Sequence, residues 1–254
     1  MMARSSAAVI VTNRQDEQRL RDATSIKRLH NIPIGSNISA QLAASYDRAA
    51  WRKQLDVPAD ATLVGYFGFM NASKGVDTLL DGAAAAIAAG TNVHLLMIGG
   101  RTGSSDPTNL EHAKEIDALI EQTSMQDRIH WTGYVDGSTV SSHLSACDMV
   151  ALPYRDGVSL RRGSFMAAIA HGCAIITTTP EVDLPEVQHR CHAFLIARDA
   201  PDALAVAIKT LATDSTLRST LQRNALELSS SFGWDHIAAQ TVTLFAEIIG
   251  AARS

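Results

Sequence analysis

Short apolar segments rich in β-branched residues alternate with longer segments of helical periodicity, and this alternation constrains the fold more than any other feature of the chain. Six apolar segments are predicted to be strands, at residues 64–67, 93–98, 129–131, 149–152, 174–177 and 193–196. Strands that are apolar at nearly every position are covered on both faces. Helical segments separate most of them, so right-handed crossovers predict an α/β fold with a doubly wound, Rossmann-like parallel sheet.

Both ends of the chain depart from this alternation. After the last strand segment, helical periodicity alone continues to about residue 252. Before the first, the sequence predicts one short strand (residues 7–12), one polar helix (16–22) and a linker broken by proline and glycine. One strand and one helix cannot bury a core. We therefore expect residues 1–31 to be a remnant of a preceding domain with its linker, residues 32–233 the main domain, and residues 234–254 a closing helix.

Composition excludes several classes of protein. The formal net charge is -4, whereas general nucleic-acid binders need an excess of Lys and Arg for phosphate contacts. The three cysteines, Cys147, Cys173 and Cys191, lack metal-type spacing, which favours buried reduced thiols over a metal or redox site. The apolar run at residues 7–11 is too short to span a bilayer, and no cleavable targeting segment is evident. A cytoplasmic location is expected.

The loop at residues 68–75 follows the first strand of the predicted sheet. Open parallel sheets bind ligands at the carboxyl ends of their strands. Gly68 would let a phosphate approach the backbone, and Lys74 would add an ammonium beside a helix start, a combination that suits an anion. An ordinary turn with a solvated lysine explains the same residues. The loop lacks the G-x-G-x-x-G order of a dinucleotide site, which disfavours nicotinamide and flavin enzymes.

The loop at residues 153–164 concentrates charge in a chain with few charged residues. It holds three arginines together with Asp156 and two serines. Arg161 and Arg162 suit a diphosphate, because a guanidinium can donate two hydrogen bonds at once. Gly163 would let the backbone approach the same phosphates. An exposed polar loop is the simpler alternative.

The turn at residues 133–136 follows the third strand of the predicted sheet. Gly133 and its neighbours could present backbone groups to a nucleobase, with Tyr134 or Val135 as an apolar wall. A plain strand-to-helix turn explains these residues equally well.

From Ile32 onward the chain resembles the donor-binding, C-terminal domain of the GT-B glycosyltransferases, specifically the retaining family 4 (group 1). The similar segments are the interdomain linker at 32–38, the phosphate loop at 68–75, the base-binding strand and turn at 129–135, the strand before the donor loop at 148 and 152–154, a helix end at 170–172 and the start of the closing helix at 232–235. The resemblance implies a GT-B C-terminal domain with terminal helices, preceded in the full enzyme by an acceptor-binding domain.

The chain departs from the family at two places. Members usually have an arginine after the first glycine of the phosphate loop, where this chain has Phe69. They also usually carry two glutamates eight positions apart. Here those positions hold either Ser159 and Ala167 or Asp156 and Ser164, depending on the alignment. The chain thus resembles a variant without the two-glutamate motif, in which the loop arginines would replace the missing phosphate contact.

The resemblance implies three groups of ligand-binding residues. Those expected at the donor diphosphate are Gly68, Lys74, Arg161, Arg162 and Gly163. Those expected at the donor sugar are Asp156, Gly157 and Ser159. Those expected at the nucleoside are Gly133, Tyr134, Val135, Ser164 and Ala167. No catalytic residue is assigned, and neither a metal nor another cofactor is expected beyond a UDP- or GDP-type nucleotide sugar as substrate.

The implied function is transfer of a sugar, with retention, from a nucleotide-diphosphate sugar to a hydroxyl of a glycan or lipid-linked acceptor in glycan or polysaccharide biosynthesis. The isolated chain is expected to be weakly active or inactive. The full-length enzyme is expected to lie in the bacterial cytoplasm or peripherally at the inner face of the membrane. An apolar stripe between Trp234 and Ile249 further suggests a homodimer.

Two alternatives stay open. One is a nucleotide-binding module without catalysis, suggested by Phe69 and the absent glutamates. The other is a sugar-nucleotide epimerase of similar architecture, for which His130 and His171 are the candidate acid–base residues, although packing explains both better.

Overall fold

The computed structural model describes residues 6–23, 26, 28–100 and 107–253. The strands are β1 (Val9–Val11), β2 (Leu29–Asn31), β3 (Thr62–Phe67), β4 (Val93–Ile98), β5 (Ile129–Gly133), β6 (Met149–Leu152), β7 (Ile175–Thr178) and β8 (Phe194–Ile196). The α-helices are α1 (Arg14–Ala23), α2 (Arg48–Gln54), α3 (Val76–Ala88), α4 (Pro107–Gln122), α5 (Gly137–Ala146), α6 (Gly163–Ala170), α7 (Pro201–Thr213), α8 (Ser215–Ser229) and α9 (Trp234–Arg253).

The main sheet confirms the predicted doubly wound topology. Its six strands are parallel in the order β5-β4-β3-β6-β7-β8, with every neighbouring pair in parallel register. The chain proceeds outward from β3 to β5, then returns beside β3 with β6 and proceeds the other way. The direction therefore reverses between β3 and β6, which is where such sheets bind ligands.

The core consists of the sheet and its covering helices. All residues of β4, β6 and β7 are buried, including the polar His94, Thr177 and Thr178, as expected for strands covered on both faces. Helix α3 packs against α4 and α7. A Cβ at Gly82 would lie 2.8 Å from the Leu204 side chain, so glycine allows α3 and α7 to approach closely. Helix α5 packs against α2, and α6 packs against α8.

Asp148 joins α2 to the amino-terminal edge of the sheet. Its carboxylate accepts hydrogen bonds from Arg48 Nη2 (2.6 Å), Arg52 Nη1 (2.9 Å) and the Leu63 N–H (2.8 Å). Arg52 is 7% exposed. Burial acts to raise the pKa of Asp148, but these three donors outweigh it and hold the pKa below its usual range.

The described residues between 6 and 31, which we call the N-terminal unit, form more structure than the sequence indicates. The predicted strand and helix are present as β1 and α1, but the segment predicted to be linker contains β2, which pairs with β1 in parallel. A strand of three residues, here Leu29-His30-Asn31, is too short to show a detectable alternation of apolar and polar side chains.

Helix α9 packs against the end of the N-terminal unit. Ile237 and Leu244 form a small cluster with Ile32, flanked by Ala8 and Ile248. The predicted apolar stripe is therefore divided. Ile237 is buried, whereas the remaining large members of the stripe, Trp234, Val242, Phe245 and Ile249, are 52–66% exposed.

Two of the cysteines are buried as free thiols, as predicted. Burial raises the pKa of Cys147, and raises that of Cys173 to about 12. The third, Cys191, is half-buried. Among the described residues, no helix is both long and apolar enough to cross a membrane, and no three potential metal-binding side chains cluster.

Candidate functional site

A cleft of about 620 Å³ lies between the N-terminal unit and the loops after β6 and β7. The residues of the N-terminal unit that line it include Thr12, Asn13, Arg14, Gln15, Glu17 and Asn31. The opposite wall includes Asp156, Gly157, Ser159, Arg161, Arg162, Glu181, Asp183 and Glu186. The cleft therefore opens at the carboxyl ends of the strands.

Tyr154 organises the cations beside this cleft. The residue is fully buried, and its hydroxyl group is hydrogen-bonded to Ser164 Oγ at 2.7 Å. Lys74 Nζ lies 5.1 Å from the centroid of the Tyr154 ring, and Arg162 Cζ lies 4.8 Å from it. Both contacts are within the range of cation–π attraction. One buried ring therefore positions two of the predicted diphosphate ligands.

The electrostatics around Lys74 favour an anion. Burial and, to a lesser extent, the positive charge of Arg162 lower the pKa of Lys74 to about 8, against the opposing effect of Asp156. Arg162 forms an ion pair with Asp156. The charge of Asp156 thus acts on both cations. A bound anion would add negative charge and stabilise the ammonium form of Lys74.

The loops after β3 and β6 are packed directly on each other. Gly75 adopts a positive φ of 66°, and a Cβ at this position would lie 2.0 Å from the Pro153 carbonyl oxygen, so no side chain fits. The Arg155 N–H also donates to the Ser73 carbonyl (3.1 Å). A Cβ at Gly68 or Gly163, by contrast, would meet no atom within 4 Å. Open space therefore adjoins two of the glycines predicted to approach phosphate.

The predicted sugar-binding residues lie next to the loop after β7. Gly157 has a φ of 81°, and a Cβ there would lie 2.6 Å from the Thr179 carbonyl oxygen. Its neighbour Asp156 keeps 53% of its side chain exposed, and Ser159 also lines the cleft. The turn at 156–157 therefore brings the donor loop into contact with residues 179–181.

The three arginines of the donor loop point to different partners. Arg162 lies over Tyr154, as described above. Arg161 faces the N-terminal unit, where it contacts Asp16 Oδ2 and Gln15 Oε1, each at 3.3 Å. Arg155 pairs with Asp77 and with Asp199. The structure therefore places Lys74 and Arg162 together and directs Arg161 across the cleft.

The predicted nucleoside residues do not form one pocket. Gly133, Tyr134 and Val135 lie at the end of β5, with Tyr134 86% exposed and Val135 partly buried against the core. On α6, the Ser164 hydroxyl group is hydrogen-bonded to the Tyr154 hydroxyl group, and Ala167 is fully buried. Ala167 therefore cannot contact a nucleoside, because this face of α6 packs onto the core.

Sequence analysis missed the contribution of the N-terminal unit and of Glu186. Arg14 donates to Glu186 Oε1 from Nε (2.9 Å) and from Nη2 (2.7 Å), which joins the two walls of the cleft. The two residues are 172 positions apart, and neither belongs to a motif, so no sequence signal links them.

Comparison with known proteins identifies the family. Residues 61–214, more than half of the chain, match the model described as "Glycosyl transferases group 1". A D-inositol 3-phosphate glycosyltransferase from Xylanimonas cellulosilytica is 26% identical over 254 residues, which cover 97% of this chain and 58% of that protein. Two further curated relatives are covered over 51% and 48% of their length, so the chain spans about half the length of the curated relatives it matches.

Solved structures give the same assignment of fold. Sucrose-phosphate synthase from Thermosynechococcus elongatus has a TM-score of 0.77 at 27% identity, and the similarity covers 98% of this chain and 60% of that one. Anabaena HepE, in complex with UDP and glucose, has a TM-score of 0.81 at 21% identity, covering 96% of this chain and 64% of that one. The fold is therefore GT-B-like, and the match to the family model shows that the chain belongs to the group 1 glycosyl transferases.

Proposed function

We propose that this chain binds a nucleotide-diphosphate sugar as the donor-binding part of a retaining, family 4 glycosyltransferase. The observation that carries the proposal is the position of Lys74 and Arg162 over Tyr154, at the point where strand order reverses. A diphosphate bound there would neutralise both cations. The same contacts would stabilise the charge that develops on the nucleotide as the sugar departs, so we propose that no metal is required.

The proposed donor is of the UDP or GDP type. Support for a nucleotide sugar comes from the structural similarity to HepE, whose complexes contain UDP, UDP and glucose, or UDP-glucose. In this proposal the diphosphate lies near Gly68 and Gly163, and the sugar lies near Asp156, Gly157 and Ser159. The nucleoside lies toward Gly133 and Tyr134.

The proposed acceptor is a hydroxyl group of a glycan or of a lipid-linked glycan, in glycan or polysaccharide biosynthesis. It would enter the cleft from the side of the N-terminal unit, whose Asn13 and Asn31 line the opposite wall. In the complete enzyme, a further acceptor-binding region would contribute to this side. We propose a bacterial, cytoplasmic enzyme that associates peripherally with the inner face of the membrane when its acceptor is lipid-linked.

Titration calorimetry with UDP, GDP and their glucose conjugates tests the proposal. We expect saturable binding of at least one nucleoside diphosphate, undiminished by EDTA, and weaker binding at higher salt because the contacts are ionic. A protein that binds neither diphosphate contradicts the proposal. Loss of binding in EDTA contradicts the proposed independence from metal.

A binding module without catalysis is the second candidate, because Phe69 occupies the position where the family usually has an arginine. Consumption of donor by the full-length enzyme, with a range of acceptors, separates the two functions. The epimerase has less support. His130 Nε2 lies 2.9 Å from His94 Nδ1, and the His171 ring is hydrogen-bonded to the Ala167 carbonyl and to Ser141 Oγ. Both rings therefore have hydrogen-bond partners within the fold.

A further inference from the structure

Glu186 carries a carboxylate oxygen whose hydrogen-bonding capacity is unused. Its Oε1 accepts both N–H groups of Arg14, at 2.9 and 2.7 Å. Its Oε2 is buried and has no hydrogen-bond partner among the described residues. A buried carboxylate oxygen without a donor is unfavourable, and such groups commonly indicate a missing ligand or water. The side chain as a whole lines the cleft and is 28% exposed.

The order of strands places Glu186 where the sugar of a donor would lie. The two cations over Tyr154 fix the diphosphate near the boundary of β3 and β6, and the proposed nucleoside site lies on the β5 side. The sugar must then extend the other way, toward β7. Neighbouring strands are about 5 Å apart, so the loop after β7 is within reach of a sugar ring attached to that diphosphate.

The carboxylate that the sequence predicts at the donor sugar is already engaged. Asp156 forms an ion pair with Arg162, which limits its ability to accept hydrogen bonds from a sugar. Glu186 has one oxygen held by Arg14 and one without a donor. The torsion of a terminal carboxylate is broad, so a partial rotation can bring Oε2 toward the cleft while Arg14 keeps a hydrogen bond to Oε1.

We propose that Glu186 accepts hydrogen bonds from hydroxyl groups of the donor sugar, with Arg14 orienting its carboxylate from the other side of the cleft. The inference rests on the proposed function, because it requires a nucleotide sugar in this cleft. Neither of the two alignments to the two-glutamate motif places Glu186 in contact with the substrate.

The test compares the nucleoside diphosphate with its sugar conjugate in wild-type protein and in Glu186→Gln. The probes are UDP with UDP-glucose and GDP with GDP-glucose, measured by calorimetry. We expect Glu186→Gln to lower affinity for the sugar conjugate about tenfold while affinity for the diphosphate changes less than twofold. Unchanged diphosphate affinity also shows that the variant is folded.

Arg14→Met is the matched control, because it breaks the same ion pair and leaves the carboxylate in place. Because Arg14 orients the carboxylate without contacting the sugar, Arg14→Met should lose part of the sugar's contribution to affinity, but less than Glu186→Gln loses. The proposal is overturned if Glu186→Gln has no effect on the sugar conjugate, if both ligands weaken equally, if Arg14→Met reproduces the full loss, or if the sugar adds nothing to wild-type affinity. Wild-type protein that binds neither diphosphate overturns the proposed function itself.

Discussion

Lys74 and Arg162 contact the same aromatic ring, with their charged groups 5.1 and 4.8 Å from the centroid of Tyr154. Arg161, the adjacent residue, instead contacts Asp16. We therefore expect Lys74→Ala and Arg162→Ala each to weaken nucleoside diphosphate binding by about 1.5–3 kcal/mol, the usual range for a charge-assisted hydrogen bond. Arg161→Ala should cost clearly less. If calorimetry shows that Arg161→Ala weakens binding more than the other two variants do, Lys74 and Arg162 are not the main ligands of the diphosphate.

The affinity for a nucleoside diphosphate should fall as pH rises above about 8. In the free protein the pKa of Lys74 is lowered to about 8, so the ammonium form is lost above that pH. Binding of an anion favours the ammonium form and raises its pKa, so binding above pH 8 takes up a proton. Calorimetry between pH 7 and 9.5, in buffers of different ionisation enthalpy, measures both effects. Lys74→Arg stays protonated and should flatten the profile. An equally steep decline in that variant would assign the titration to another group.

Asp148→Asn should destabilise the fold by about 3 kcal/mol or more, because it leaves the buried guanidinium of Arg52 without its carboxylate. The pKa of Asp148 is lowered in the folded protein, so its contribution is present above the ordinary Asp value of about 4 and is lost as pH falls through the folded pKa. Urea unfolding at pH 7 measures the difference. Asp235→Asn, at the start of α9, is the matched control and should differ from wild type by less than about 0.5 kcal/mol.

Amides of the N-terminal unit should exchange with deuterium much faster than those of β4. No residue of α1 is buried, and β1 pairs with one other short strand. A two-stranded sheet is marginally stable without further packing. Mass spectrometry after seconds to hours of labelling should show early exchange at residues 9–23 and late exchange at 93–98. Equal protection would mean that the unit is held as firmly as the core.

The exposed stripe of α9 should promote self-association. Trp234, Val242, Phe245 and Ile249 expose more than half of their surface on one helix, and exposed apolar area of this kind is often buried between molecules. We propose a homodimer that forms through this surface. Sedimentation should show an association that depends on concentration and is weakened by Phe245→Ser with Ile249→Thr. A strict monomer at high concentration contradicts the proposed dimer.

The main sheet was predictable because its signal is local. Continuous apolar runs such as residues 93–98 and 149–152 determine strands, and the alternation with helices determines their direction. The position of Lys74 was also predictable, since it follows directly from a loop after a strand. The partners of Arg155 and Arg161 were not predictable, because Asp77, Asp199 and Asp16 are distant from them in sequence.

The closing helix shows the same limit. Helical spacing identified Ile237 and Phe245 as members of one apolar stripe, but packing on Ile32 buries Ile237 and Leu244 and leaves Phe245 outside. The apolar stripe covers a wider arc of the helix than Ile32 and its neighbours contact. Which side of a wide stripe is buried depends on the shape of the neighbouring unit, and periodicity contains no information about that shape.

The absence of a side chain at Gly75 has a mechanical consequence. With Gly75 against the Pro153 carbonyl, the two loops that carry Lys74 and Arg162 are already packed on each other without a ligand. A diphosphate would not need to draw these loops together on binding. The N-terminal unit, on the opposite wall of the cleft, meets the loops after β6 and β7 through side-chain ion pairs such as Arg161–Asp16 and Arg14–Glu186. Salt screens exposed ion pairs of this kind, so higher salt should weaken the contact between the two walls of the cleft.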